Sequence, residues 1–89
     1  MQRIPNRLKL CRKKRGLSQT EVARILGVKN SIMISRWERG LVFPGPLNII
    51  RLAGIYRTMI DTLYLDLSIS VRGEMQQREE ALAQKQHHA

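Results

Sequence analysis

Ser18-Gln19-Thr20-Glu21-Val22-Ala23-Arg24-Ile25-Leu26-Gly27-Val28-Lys29-Asn30-Ser31-Ile32-Met33-Ile34-Ser35-Arg36-Trp37-Glu38-Arg39-Gly40 is the stretch whose reading decides the fold. Ser18 to Glu21 is a capping box: the serine hydroxyl accepts from the Glu21 amide, and the Glu21 carboxylate reaches back to the Ser18 amide. A helix therefore starts after Ser18. Val22, Ala23, Ile25 and Leu26 supply its apolar stripe, and Gly27 ends it. Val28 is expected to plug into the core after the turn. A second helix starts near Asn30 or Ser31 and runs to Arg39, with Gly40 as its stop. Ile34 and Trp37, three residues apart, share its inward side. Ser31, Ile32, Ser35, Arg36 and Arg39 lie around the rest.

The flanks read as helix too. Pro5 precedes a helix over about residues 6–15, where its missing N–H costs nothing. Ile4, Leu8, Cys11 and Leu17 mark its inward side, and Arg7, Lys9, Lys13 and Lys14 face out. The run Arg12-Lys13-Lys14-Arg15 falls in the last turn, where cations suit the helix dipole. A further helix starts at Pro46, with Ile49, Ile50, Leu52, Ala53 and Tyr56 as its apolar face and Gly54 weakening its end. From Ile60 onward two patterns compete. Leu63, Leu65, Leu67, Ile69 and Val71 alternate as in a strand, whereas Leu63, Leu67, Val71, Met75 and Leu82 fit one side of a long helix. A lone strand has no partner in a helical chain, and the Gln/Glu/Ala-rich stretch after Gly73 is helix-prone, so helix is favoured. The expected class is all-α.

The chain has 89 residues, one cysteine and 43% apolar residues. That is enough for one small core, and no internal disulfide is available to support it. No apolar run reaches the roughly 18–20 residues that span a bilayer. Met1-Gln2-Arg3-Ile4-Pro5 lacks the apolar stretch of a signal peptide, so a cytoplasmic location is expected. The charge is more informative. Residues 1–60 hold thirteen basic and two acidic residues, a net of +11, and residues 61–89 carry a net of −2. A basic compact half points to a polyanion, nucleic acid first and an anionic membrane surface second. The membrane reading is disfavoured because the charge is spread over several helices and not along one amphipathic face. No Gly-rich phosphate loop, paired carboxylates or Ser/His/Asp set is present, so no enzyme activity and no cofactor are expected. Cys11 reads as a core thiol. His87 and His88 lack a third ligand and are weak support for a metal site.

Two helices joined by a short turn, the second bearing small polar and basic residues, make the helix-turn-helix layout. A major groove about 12 Å wide admits one such helix. The chain also resembles the Cro/C-type phage repressor domains, also called xenobiotic-response-element-like. The resemblance rests on Gly16-Leu17-Ser18-Gln19, Glu21-Val22-Ala23, Leu26-Gly27-Val28, Ile34-Ser35-Arg36-Trp37-Glu38-Arg39-Gly40, Pro44 and Leu52-Ala53, and covers about residues 6–65. It implies a five-helix, lambda-repressor-like DNA-binding domain that dimerises on a two-fold operator. It also implies base contacts from Ser31, Ile32, Ser35 and Arg36, and a buried ion pair between Arg12 and Glu38. Gln19 matches a phosphate-contacting glutamine, and Lys29, Asn30 and Arg39 are further expected phosphate contacts.

Two features depart from the family. The turn after Gly27 is one residue longer than in most members, at Lys29 or Asn30, as in one branch of the family. This leaves the register of the first recognition residues open by one position. Leu41-Val42-Phe43 stands where basic or polar residues are more common, which weakens the case for a phosphate contact from that loop.

Residues 1–65 are accordingly expected to form the DNA-binding domain, and residues 66–89 a helical extension for dimerisation or a protein partner. The expected function is a double-stranded DNA-binding transcriptional regulator, a repressor and a homodimer. The alternative is an antitoxin or adaptor whose main work is protein–protein interaction. Arg36 suits guanine, to which arginine donates a bidentate fork. For Ile32 and Met33 two readings stand: one of them meets a thymine methyl, or Met33 packs inward and Ile32 is simply exposed.

Overall fold

The computed structural model describes residues 2–87, which form six helices and no strand. These are α1 (Leu8–Lys14), α2 (Gln19–Leu26), α3 (Ile32–Glu38), α4 (Pro46–Tyr56), α5 (Ile60–Leu63) and α6 (Leu65–His87). The strand alternative for residues 63–71 is overturned, because Leu63 closes α5 and α6 runs unbroken from Leu65 through Val71. None of the helices among the described residues is long and apolar enough to cross a membrane.

The core draws on every helix of the first five. Leu8, Val22, Ile34, Leu52 and Leu63, one from each of α1 to α5, are almost wholly excluded from solvent. Cys11, Ala23, Trp37, Ala53, Tyr56 and Tyr64 complete the cluster, with Ile4, Leu17, Leu26 and Leu67 packed at its margin. Burial raises the Cys11 thiol above its ordinary pKa, as suits a packed thiol.

Three apolar residues expected inside lie at the surface: Ile25, Ile50 and Val28. A helix turns about 100° per residue, which carries Ile25 off the face shared by Val22, Ala23 and Leu26. Ile50 is likewise a quarter-turn off the line of Ile49, Leu52, Ala53 and Tyr56. Val28 has another cause. Its amide donates to the Ala23 carbonyl at 3.0 Å and the Gly27 amide to that of Arg24 at 3.1 Å, a Schellman turn with Gly27 left-handed. The five-residue connection that follows leaves the Val28 side chain 39% exposed.

Gly40 closes α3 on the N-terminal arm. Its φ is +72°, and a Cβ there would run into the backbone of Ile4, whose amide donates to the Gly40 carbonyl at 2.9 Å. The last turn of α3 is thereby held by residues that precede α1.

α6 is different in kind. Its first turn is tied to the domain by Leu67 and by an Arg7–Asp66 pair at 3.2 Å, and residues 69–86 are all exposed. Its 23 residues extend about 34 Å. The radius of gyration is 16.9 Å, against about 12 Å for a compact chain of this length. The helix projects from the domain.

Candidate nucleic-acid interface

Two hydrogen-bonded ends fix α2. Ser18 Oγ accepts from the Glu21 amide at 3.0 Å, and Glu21 Oε1 accepts from the Ser18 amide at 2.9 Å. Those bonds hold the Glu21 carboxyl below its ordinary pKa. The connection from Gly27 to Ser31 then turns the chain into α3. Asn30 Oδ1 accepts from the Ile32 amide at 3.0 Å and satisfies a donor at the start of α3, a role that Ser31 does not take. α3 begins at Ile32.

α3 divides sharply. Ile34 (1% exposed) and Trp37 (4%) face the core, and the opposite side presents Ile32, Ser35, Arg36 and Arg39 along one line. Arg36 and Arg39 are exposed, and Ser31 and Ser35 are half-buried. Ile32 is 60% exposed, and Met33, expected on one reading to pack inward, is 40% exposed. Lys29 and Asn30 are exposed in the connecting turn.

The far end of α3 is braced by one carboxylate. Glu38 accepts from Arg12 Nε at 2.6 Å, from Arg12 Nη2 at 3.1 Å and from Gln19 Nε2 at 3.0 Å. The pair is buried, with side chains 10% and 4% exposed, and the bond to Glu38 raises the pKa of the Arg12 guanidinium. Arg12 Nη1 also donates to the Leu17 carbonyl at 2.9 Å, so one arginine ties α1, the α1–α2 turn and α3 together. A buried pair contributes little net stability, yet removing one partner strands the other at a cost of about 3–5 kcal/mol. Gln19 thus has its amide turned inward to Glu38, while its position at the first residue of α2 stays at the half-exposed rim.

Sequence reasoning missed Asn6. Its Nδ2 lies 3.3 Å from the Trp37 carbonyl and 3.2 Å from that of Glu38, and its Oδ1 accepts from the Leu8 amide at 3.1 Å. From the position before the N-cap Arg7, it satisfies the first amide of α1 and holds the C-terminus of α3 with one side chain. A capping residue one or two positions before a helix was the available signal. Arg3, also unassigned, donates to the Arg39 carbonyl at 2.9 Å. Among the described residues no three His, Cys, Asp or Glu side chains are grouped to hold a metal ion. The His87–His88 pair is not part of that statement, since His88 lies outside the described residues.

A bracing helix, a turn, and a second helix that shows one polar, basic face and buries the other define a helix-turn-helix domain. The helix-turn-helix family model matches residues 8–63, from the start of α1 to the end of α5. The chain belongs to this family of Cro/C1-type, xenobiotic-response-element-like domains and is a DNA-binding transcription regulator. Searches of curated proteins and of solved structures return no match to it.

Proposed function

We propose that the protein is a sequence-specific repressor that inserts α3 into the major groove of double-stranded DNA and acts as a homodimer. The observation that carries this is the division of α3, whose outward line exposes Ile32, Arg36 and Arg39 with Ser35 half-buried among them. Arg36 reads a guanine through O6 and N7, and Ser31, Ile32 and Ser35 meet neighbouring base edges. Lys29, Asn30 and Arg39 contact phosphates at either end of α3. Gln19 does so from the N-terminus of α2 with the second proton of its amide, the first being donated to Glu38, and free backbone N–H groups there also favour an anion. Asn30 Oδ1 is engaged with Ile32, so its contact is through Nδ2. Occupancy of a promoter site is sufficient for repression. Two copies related by a two-fold axis would set their recognition helices about 34 Å apart, one turn of DNA.

The test is a salt titration of binding to duplex DNA. If each subunit neutralises about 4–5 phosphates, log K falls against log salt with a slope near −4 per subunit. A slope near zero contradicts this use of the charge. A second reading, an antitoxin or adaptor that works through a protein partner, is favoured by α6, which exposes Ile69, Val71, Met75 and Leu82. DNA affinity unchanged by loss of residues 66–89, together with a bound protein that requires them, would support it.

A further inference from the structure

Ile32 opens the outward line of α3, one helical turn before Arg36 and two before Arg39, and is 60% exposed. Met33 beside it is 40% exposed. An apolar pair is out of place there as a solvated surface, because the same face carries arginines and the surrounding residues 1–60 carry a net +11. Nor is it spilled core. The buried side of the helix is already filled by Ile34 and Trp37, and Ile32 points opposite to them. Asn30 fixes the backbone at Ile32 by accepting its amide proton at 3.0 Å, so the side chain is presented from a defined position.

A polyanion that is also apolar at its readable edge meets both demands. In the major groove the apolar group on offer is the C5-methyl of thymine in an A·T pair, and apolar side chains are its partners. We propose that Ile32, flanked by Met33, reads a thymine methyl in each half-site, next to the base contacted by Arg36. The proposal rests on the reading of α3 as the recognition helix and adds the chemical class of one of its targets. Sequence preference at that position then comes from a methyl group and not from a hydrogen bond.

Replacement of individual thymines by deoxyuridine in a duplex selected from a random pool removes the methyl and leaves every hydrogen-bonding group in place. At one thymine per half-site we expect affinity to fall about three- to fivefold, the effect of one buried methyl. Ile32→Ser should bind the thymine duplex more weakly and be indifferent to the exchange, so the two losses are not additive. Its thermal unfolding should match the parent, because Ile32 takes no part in the core. Salt-dependent, sequence-selective binding that ignores every deoxyuridine exchange, or an Ile32→Ser protein that keeps the full sensitivity, overturns this proposal and leaves the recognition-helix reading standing. Absence of selective duplex binding overturns both.

Discussion

Tyr64 shows how one buried atom sets a measurable response. Its hydroxyl is buried with no partner among the described residues, and its ring lies against Phe43 with centroids 5.3 Å apart. Burial pushes its pKa from 10.0 up to about 12, and burial raises Tyr56 as well. The folded chain therefore holds these phenolic protons where the unfolded chain has lost them. Ionisation of Tyr64 leaves stability untouched below pH 10 and lowers it as the pH rises from 10 to about 12. Tyr64→Phe should gain about 1 kcal/mol at neutral pH, by removing an unpaired buried hydroxyl, and should show a smaller loss at alkaline pH. Urea unfolding at both pH values checks this, and an unchanged alkaline loss would contradict it. Other residue-scale features differ in how far sequence exposes them. The Ser18–Glu21 cap is local and could be read directly. The inward turn of the Gln19 amide could not, because it depends on Glu38, nineteen residues away and on another helix.

At the scale of elements, legibility follows the strength of the local signal. α2 and the stop at Gly40 were legible because caps and left-handed glycines are set by near neighbours. The exposure of Ile25 and Ile50 is not legible because apolar character alone does not say which flank of a helix meets the core, and that of Val28 because it depends on the path of the connection after Gly27. α6 is ambiguous in sequence because its first seven residues alternate as a strand would, and the absence of a pairing strand and the helix-prone stretch after Gly73 decide the matter. This helix divides in two. Leu67 and Asp66 belong to the domain, whereas the part beyond Gly73 is exposed and its side-chain hydrogen bonds in the described residues run within α6. Removing everything after Gly73 should leave thermal stability nearly unchanged, since exposed pairs such as Arg78–Glu74 contribute little. If the exposed Met75 and Leu82 serve a dimer, the shortened chain should sediment as a mostly monomeric domain and bind operator more weakly. Sedimentation and binding identical to those of the full chain would exclude this part of α6 from dimerisation.

The whole molecule is a basic, braced domain from which a helix projects, with a net +11 over residues 1–60 and −2 beyond. Charge brings such a domain to any duplex, whereas α3 must choose among sequences. The two contributions separate experimentally, and sequence-specific binding requires the second. Arg36 is exposed on the outward line of α3 and makes no side-chain bond within the described residues that would hold it elsewhere. The most direct measurement is a selection from random duplexes, carried out in parallel with the parent protein and with Arg36→Ala. The parent should enrich one motif, and Arg36→Ala should keep that motif except at one base pair, where the preference for guanine is lost with about 1–3 kcal/mol of affinity. A parent protein that enriches nothing, or an Arg36→Ala protein with unchanged preference at every position, would contradict recognition by this helix.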